Sequence, residues 1–492
     1  MDPAESKSVA DDSQPRRRLD LILAILILTG AAVVVSHALR IEDAWWDHDE
    51  VEHLHAAWLI SQGLRPFADF FEAHQPAFWY ALLPLTDLGP DRMLTAARFA
   101  MLACALGLLW LTFDLALAVS NSRRAAAFGT LLLPGTWVFL RTGLEVRPDI
   151  PEVFFLFLSA SLWLRWLRGG RVGFAMAAGL AAGLAFVVLH KAAVVFPAFA
   201  AGTLAQRGFP LRHRLRHLLA LAGGFAVPAA VYFGWLWASG LAADAFFFTG
   251  RFMAAIHTST TLQIHLSPGS LLRTFLSDSP ALFLFGAAGL AATVASRPVR
   301  AATVFLWTLT FTLGLLIAAS RMPNKQFFFP VFVLLAVFAS VFFERLDARA
   351  APRPLRWVAP IGVATALALC AVQTPSGRTN QVQRLVHERI LARTGPSDPI
   401  LAEPPWHPIV RRDAGFLWFN IVPFLQAAEQ MQAPGVPPDA RLDRLRDLLD
   451  TPPAAVFAPS EDFLTRVPGL AAYVRDHLHP DPVVPNLFIQ GR

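Results

Sequence analysis

Residues 19–58 read LDLILAILILTGAAVVVSHALRIEDAWWDHDEVEHLHAAW, so an apolar run leads directly into a cluster of charged and aromatic side chains. The run from Leu19 to Leu39 can cross the hydrocarbon core of a bilayer, which takes about twenty helical residues. It follows the arginine triplet 16–18, exceeds the apolar stretch of a cleaved signal peptide in length, and lacks a small-residue cleavage site. We therefore interpret it as a retained first transmembrane helix.

The composition of the whole chain fits a membrane protein. Of its 492 residues, 55% are hydrophobic and only 16% are charged, whereas about a quarter of the residues of soluble domains are charged. Apolar runs recur along the chain, and we predict about eleven transmembrane helices, at residues 19–39, 93–119, 125–140, 150–164, 172–189, 192–205, 217–238, 280–296, 301–319, 327–343 and 357–372. The expected fold class is an all-α polytopic membrane protein with a small C-terminal α/β domain.

The arginines lie mostly in alternate loops between the apolar runs. These loops would share one side of the membrane with the N-terminus, and they are residues 120–124, 165–171, 206–216, 297–300 and 344–356. By the positive-inside rule this side is the cytoplasm. The net charge of +6 therefore reflects membrane topology, and we expect membrane lipids but no nucleic acid among the partners.

This topology divides the chain into three parts. Residues 1–18 are expected to be a disordered cytoplasmic N-terminus, and residues 19–372 a multi-spanning domain with a long outer loop at 40–92. Residues 373–492 are polar and proline-rich, without an apolar run of span length. Periodicity and turn residues there predict a small soluble α/β domain on the outer side. Its predicted helices are residues 382–394 and 439–449, and its predicted strands are residues 454–458 and 486–490.

The first outer loop carries a dense group of acids and histidines between two tryptophan-containing segments. If a helix begins near Asp49, then Asp49, Glu52 and His53 share one face, because residues three and four apart are neighbours on a helix. A carboxylate within hydrogen-bond reach of a hydroxyl can act as a general base. Carboxylates and histidines at this spacing also suit a divalent cation, an alternative that the sequence leaves open. A solvated acidic loop is the simpler alternative.

A second group of candidates lies in other predicted outer loops. Arg147, Pro148 and Asp149 immediately precede a predicted span, which would fix the arginine and the acid at the membrane face. Lys191 and Lys325 are two of the three lysines in the chain, and both fall at outer junctions. A cation beside apolar spans is what a lipid-linked phosphate needs, although such lysines also extend to the interface without a function.

Together these segments resemble the GT-C superfamily of membrane glycosyltransferases, in particular the bacterial relatives of protein O-mannosyltransferases and lipid A aminoarabinose transferases. The resemblance covers roughly residues 19–345. The segments that carry it are Asp49-Glu50, the stretch from Gly63 to Pro76 with Asp69, Glu72 and His74, then Trp79-Tyr80, Arg147-Pro148-Asp149, residues 178–191 and residues 326–330. Relatives often place an acid, a histidine and a proline together, whereas this chain reads Glu72-Ala73-His74-Gln75-Pro76.

The resemblance implies an active site on the periplasmic face of the bacterial inner membrane and a polyprenyl-phosphate sugar donor. Transfer would invert the sugar in a single displacement, with Asp49 as the general base, Glu50 beside it and Asp149 assisting. The remaining roles implied by the resemblance are donor phosphate binding, by Arg147, Lys191 and Lys325, and lining of the substrate cavity, by His53, Asp69, His74 and Tyr80.

Two other classes of protein compete with this interpretation, a polytopic transporter and a non-catalytic envelope assembly protein. Transporters usually carry internal repeats and ionisable residues near the middle of the membrane. Here the ionisable residues gather at one face and the long loops are on one side, which favours an enzyme. The sequence leaves open the donor sugar, the lipid, glycan or protein acceptor, the metal requirement and the oligomeric state.

Overall fold

The computed structural model describes residues 3–258, 267–295, 300–320, 325–347, 352–373, 379–432, 439–449 and 451–491. Up to residue 373 the described chain is built from helices. They are α1 (Pro3–Ala38), α2 (His48–Ser61), α3 (Ala77–Leu82), α4 (Pro90–Ser120), α5 (Arg123–Leu131), α6 (Trp137–Thr142), α7 (Asp149–Gly169), α8 (Val172–Val188), α9 (Phe196–Ala205), α10 (Leu211–Ala238), α11 (Ala242–Phe246), α12 (Met253–Thr258), α13 (Pro268–Asp278), α14 (Pro280–Val294), α15 (Ala301–Ala319), α16 (Phe329–Asp347) and α17 (Val358–Gln373).

Short helical segments of other types connect some of these helices. They are 3-10 turns at Leu83–Leu88, His190–Val195, Lys325–Phe328 and Arg353–Trp357, and a π-helical turn at Phe247–Phe252. Helix α1 begins at Pro3 and so extends into the segment predicted to be disordered, whose alanine, glutamate, lysine and arginine residues favour helix.

Within the described residues, seven helices are long and apolar enough to cross a membrane. They are Arg18–Ala38, Pro90–Ser120, Asp149–Gly169, Leu211–Ala238, Ala301–Ala319, Lys325–Asp347 and Pro354–Val372, and each overlaps a predicted span. The other four predicted spans are formed by shorter helices. Residues 125–140 are divided between α5 and α6, and α13 meets α14 at an angle of 106° just before Pro280. The polytopic helical architecture is therefore confirmed, while eleven crossings stay a prediction.

Small residues let the helices that flank the candidate site approach closely. An added Cβ at Gly179 of α8 would lie 1.9 Å from the carbonyl oxygen of Leu221 in α10, and one at Gly224 would lie 2.0 Å from that of Met176. Only glycine allows backbones to meet at this separation. The close pair α8–α10 forms one wall of a groove described below.

Beyond residue 379 the described chain alternates short helices with short strands. The elements are α18 (Gln381–Arg393), β1 (Ile400–Ala402), α19 (Ile421–Met431), α20 (Ala440–Arg444), β2 (Ala455–Phe457), α21 (Glu461–Arg466), α22 (Leu470–His477), β3 (His479–Pro480) and β4 (Leu487–Ile489). The strand order is β1-β2-β4-β3, with β1 and β2 parallel and the other pairs antiparallel. The predicted helix at 382–394 and both predicted strands coincide with α18, β2 and β4, so the small C-terminal sheet is confirmed. The predicted helix at 439–449 is helical only over α20.

The C-terminal segment packs against the first loop. The Gln383 side chain bonds the backbone N–H and C=O of Trp46, both at 2.9 Å. The backbone N–H of Phe71 donates to the carbonyl oxygen of Phe416 at 2.8 Å, and the Trp418 indole donates to the carbonyl oxygen of Phe71 at 3.0 Å. Buried residues of both regions form one hydrophobic cluster. The two regions therefore lie on the same side of the helical bundle.

Candidate functional site

The first loop holds its acids in place through the start of α2. Asp47 is the N-cap residue, and its side chain accepts a hydrogen bond from the backbone N–H of Asp49 at 3.2 Å. The Glu50 carboxylate accepts in return from the N–H of Asp47 at 2.9 Å. This reciprocal pattern is a capping box, which fixes the first turn of a helix. Asp49, Glu52 and His53 thus lie on a helix, as the sequence predicts.

Glu50 is turned into the protein and is almost completely buried. Its two oxygens accept from the Arg98 guanidinium at 2.6 and 2.8 Å, and one of them also accepts from the backbone N–H of Val146 at 3.1 Å. Arg98 donates to the carbonyl oxygens of Ile41 and Trp45 as well. Sequence reasoning missed Arg98, although an arginine inside an apolar run was a visible signal for a buried partner.

Arg147 joins the segment that precedes α7 to the first loop. Its guanidinium donates to Asp49, lies 2.5 Å from an Asp47 oxygen and lies 3.0 Å from a Glu145 oxygen. Burial alone would raise the pKa of Asp47. Arg147 and a backbone hydrogen bond lower it by more than burial raises it, so the net pKa is below the usual value. Burial raises the pKa of Glu145 to about 7 even though Arg147 opposes that shift. One arginine therefore links three acids.

Asp149 and Lys191 form a second ion pair next to the first. The Lys191 ammonium donates to Asp149, lies 3.9 Å from a Glu152 oxygen and lies 4.9 Å from the ring centre of Phe327. The charges of Arg147 and Asp149 also act on each other. The structure thus places the acids and cations of three separate segments of the chain side by side.

The third predicted cation, Lys325, is exposed at the start of the 3-10 turn before α16. It lies within electrostatic range of Arg141, Glu145 and Asp47. Lys325 therefore belongs to the Arg147 side of the site, although it forms a looser association than Lys191.

His74 sits between two buried carboxylates. Its Nδ1 atom lies 3.3 Å from a Glu52 oxygen and 3.7 Å from a Glu72 oxygen. Burial would lower the pKa of His74, but the bonds to both glutamates raise it well above its usual value. Burial, reinforced by the Glu52 charge, raises the pKa of Glu72 to about 8. His74 is therefore the cation of this group.

His53 packs against His74, with ring centres 4.9 Å apart. Burial and the His74 charge hold the pKa of His53 well below its usual value, so His53 is neutral. Its Nδ1 atom accepts a hydrogen bond from the Trp79 indole at 3.1 Å. A neutral histidine whose Nδ1 accepts carries its proton on Nε2.

Two groups of three residues here offer carboxylate and imidazole atoms close enough to share a metal ion, Glu52-His53-His74 and His48-Asp49-Glu52. In the first group, the Nδ1 atom of His53 already accepts from the Trp79 indole, and His74 is protonated. In the second group, Asp49 already accepts from Arg147. Neither group is preorganised for a cation, and a divalent cation here stays a hypothesis.

Asp69 lies apart from these acids. It pairs with Arg65, 3.2 Å away, and lines a cavity of about 380 Å³ between the first loop and the C-terminal segment, together with Phe416 and Arg444. Tyr80 also lies away from these acids, next to the apolar helices α8 and α10. The structure therefore does not bring all four predicted cavity residues into one cavity.

Tyr80 lines an apolar groove of about 480 Å³ between α3, α8 and α10. Its ring packs edge-on against Trp235, with ring centres 5.2 Å apart. Tyr232 lines the same groove and packs against His190, whose Nδ1 atom lies 3.1 Å from the Gln75 side-chain nitrogen. Because His190 precedes Lys191, one end of the groove lies next to the ion pairs.

The chain has the fold of the GT-C superfamily of membrane glycosyltransferases, which confirms the resemblance found in the sequence. Residues 74–235, which include His74, Arg147, Asp149 and Lys191, match the family "Dolichyl-phosphate-mannose-protein mannosyltransferase". No curated protein sequence matches the chain significantly.

Solved structures of this superfamily superpose over nearly the whole chain. The structure of ArnT from Cupriavidus metallidurans, bound to undecaprenyl phosphate, has a TM-score of 0.64 at 14% identity, covering 96% of this chain and 97% of that one. The oligosaccharyltransferase AglB from Archaeoglobus fulgidus, with an inhibitory peptide and a dolichol-phosphate, has a TM-score of 0.59 at 12% identity, covering 97% and 75%. The arabinofuranosyltransferase AftD from Mycobacteria has a TM-score of 0.53 at 15% identity, covering 97% and 40%.

Proposed function

We propose that this protein transfers a sugar from a polyprenyl-phosphate donor to an acceptor hydroxyl at the periplasmic face of the bacterial inner membrane. The observation that carries the proposal is the pairing of Asp49 with Arg147 and of Asp149 with Lys191 at the end of an apolar groove. A proton acceptor, phosphate-binding cations and a lipid-binding surface are then adjacent. A lipid-linked glycosyl transfer needs all three.

The groove suits the lipid part of the donor. Its lining includes Tyr80, Leu180, Val231 and Trp235, and the apolar side chain of Val231 is mostly exposed, as expected for a surface that faces lipid. A prenyl chain lying along α8 and α10 would bring its phosphate to Lys191. The structure of ArnT with undecaprenyl phosphate, which has the same fold, supports this class of donor.

The reaction is a single displacement. The acceptor oxygen attacks the anomeric carbon while Asp49 takes the hydroxyl proton, and the bond from that carbon to the phosphate oxygen breaks. The phosphate leaves with added negative charge, which Lys191, Arg147 and Lys325 stabilise. Fixed cations directed at the developing charge contribute a large part of such catalysis. Glu50 acts indirectly, because its bonds to Arg98 hold the first turn of α2.

Donor binding also prepares the base. Without donor, Arg147 is bonded to Asp49 and Asp47. A phosphate that recruits this guanidinium frees one oxygen of Asp49 to accept a proton. Asp149 has the same relation to Lys191, so the two acids respond together when the donor arrives.

The periplasmic location rests on the arginine-rich loops of the opposite side. The packing of the C-terminal segment on the first loop is consistent with it, because both then lie outside the cytoplasm. The acceptor is a lipid, a glycan or a protein hydroxyl.

A deletion strain complemented with variants tests the proposal. Asp49→Asn keeps the shape of the side chain and removes the base, and we expect the envelope glycolipid or glycan product seen with the wild type to disappear by mass spectrometry. Asp91→Asn is the matched control, because Asp91 is an exposed acid at the start of α4. An unchanged product profile with Asp49→Asn at normal membrane levels would refute Asp49 as the base.

A further inference from the structure

Three side chains outside the proposed catalytic site converge where the first loop meets the C-terminal segment. His55 lies on α2, and His407 and Asp413 belong to the C-terminal segment. The Nε2 atom of His55 lies 2.8 Å from one Asp413 oxygen, and the Nε2 atom of His407 lies 3.3 Å from the other. All three side chains are more than 90% buried.

Two of these buried polar atoms are unsatisfied. Among the residues that the structure describes, His407 Nε2 and Asp413 Oδ1 have no hydrogen-bond partner, although they face each other. The two imidazole rings are also close, with centres 4.0 Å apart. Buried polar groups nearly always have a hydrogen-bond partner or a bound ion, so two unpaired atoms that face the same point indicate a binding site between them.

The second nitrogen of His55 is engaged in the way typical of a metal ligand. Its Nδ1 atom lies 2.5 Å from the carbonyl oxygen of Ile409, so Nδ1 carries a proton and Nε2 is directed at Asp413. Histidines that bind metals usually donate their other N–H to a carbonyl or carboxylate in this manner. The same hydrogen bond fixes the orientation of the ring.

We propose that His55, His407 and Asp413 form a zinc site that joins the C-terminal segment to α2. Two imidazoles and one carboxylate are a common donor set for zinc. The distances from Asp413 oxygens to the Nε2 atoms of His55 and His407 are 2.8 and 3.3 Å. Two ligand atoms of a tetrahedral zinc ion with bonds of about 2.0 Å lie about 3.3 Å apart, which is similar. Asp413 also lines the cavity of about 380 Å³, which offers space for a water molecule as the fourth ligand.

The ring of His407 is held by the same backbone segment as that of His55. Its Nδ1 atom accepts a hydrogen bond from the backbone N–H of Ile409 at 3.1 Å, which leaves Nε2 directed at Asp413.

The site would act on catalysis only through structure. His55 lies six residues after Asp49, about 9 Å along the helix axis. A zinc ion would therefore hold α2 against the C-terminal segment of the chain while leaving the proposed base free. This role is independent of the sugar chemistry, so failure of the zinc proposal leaves the proposed function intact.

The full-length protein in detergent, stripped with a chelator and then dialysed against zinc, tests the site. We expect the wild type to hold one zinc ion per chain more than His407→Gln or Asp413→Asn, measured by elemental analysis. Asp49→Asn and the exposed-site control His477→Gln should hold as much zinc as the wild type. Equal zinc in all variants, or none in the wild type, would overturn the proposal and leave a histidine–aspartate hydrogen bond only.

X-ray absorption at the zinc edge provides a second measurement that needs no variant. We expect two imidazole nitrogens and carboxylate or water oxygens around the metal, without sulfur. A spectrum with fewer than two imidazoles would place the zinc elsewhere and contradict the proposed ligands, even if the variants fail to fold.

Discussion

Asp49 and Glu50 are neighbours in the chain, yet the structure gives them opposite environments. Glu50 is buried, and every contact described for it comes from one arginine and nearby backbone. The Asp49 side chain is 30% exposed and shares Arg147 with two other acids. A carboxylate that is fully satisfied holds the fold, whereas one that shares its cation can exchange it for a substrate. The difference separates a structural acid from a candidate base.

The largest effects should come from exchanging these two acids for their amides. Glu50→Gln leaves the buried Arg98 charge uncompensated, and we expect a loss of about 3–5 kcal/mol in the free energy of unfolding. Asp49→Asn should change stability by about 1 kcal/mol or less, because the site is partly exposed. Its effect should be on turnover, which we expect to fall about 10²–10⁴-fold without the base.

Thermal unfolding in detergent and a transfer assay with the identified product measure both quantities on the same preparations. A stable, active Glu50→Gln protein together with an unstable Asp49→Asn protein would reverse the assignment. Glu52→Gln offers an intermediate case, because this buried acid faces the charged His74.

Lys191 should contribute more to donor binding than an exposed cation elsewhere on the protein. Lys191→Met removes a charged hydrogen-bond donor, worth about 1.5–3 kcal/mol, so affinity for undecaprenyl phosphate should fall roughly 10–100-fold. Arg92→Met is the matched control, because Arg92 is exposed in the first turn of α4. Native mass spectrometry with the lipid added gives the comparison. Equal losses for both variants would show that a diffuse positive charge, and not the ion pair, attracts the phosphate.

The buried group around His74 should make stability depend on pH. The pKa of Glu72 is raised to about 8 by burial, above its usual value of 4.5, so the folded protein holds this proton more tightly than the unfolded chain. The resulting stabilisation is complete below pH 4.5 and is lost as pH rises through about 8.

We expect the unfolding temperature to fall between pH 7 and pH 9, and to fall less in Glu72→Gln, whose side chain does not titrate. Asp91→Asn serves as the control, since its exposed side chain should leave the wild-type profile unchanged. A Glu72→Gln profile as steep as that of the wild type would assign the pH dependence to other groups.

The sequence predicted the acids better than their partners. The charge density after Trp46 and the preceding apolar run drew attention to the segment that forms α2, and the spacing of Asp49, Glu52 and His53 predicted their common helix. Arg98 was not predicted to reach Glu50, because a pairing across 48 residues depends on how α4 packs beside α2. Local sequence patterns predict helices, whereas contacts between distant segments depend on tertiary packing.

The same limit explains the histidines. The sequence places His55 among the acids and histidines of the first loop but gives no sign of its contacts. Its partners, Ile409 and Asp413, lie more than 350 residues later in the chain. The C-terminal segment looked like a separate domain because its composition changes at residue 373. Only the structure reveals that its buried residues share a core with the first loop.

The smallest effect should come from the groove. Tyr80 contributes an aromatic face that packs on Trp235, while its exposed fraction is 38%, so truncation removes only part of a lipid contact. Tyr80→Ala should weaken undecaprenyl phosphate binding about 3–10-fold, in line with a partly buried aromatic contact of about 1 kcal/mol. Tyr80→Phe keeps the ring and should bind like the wild type. If Tyr80→Phe weakens binding as much as Tyr80→Ala, the hydroxyl contacts the donor, and the groove end nearest Tyr80 receives its polar part instead of the prenyl chain.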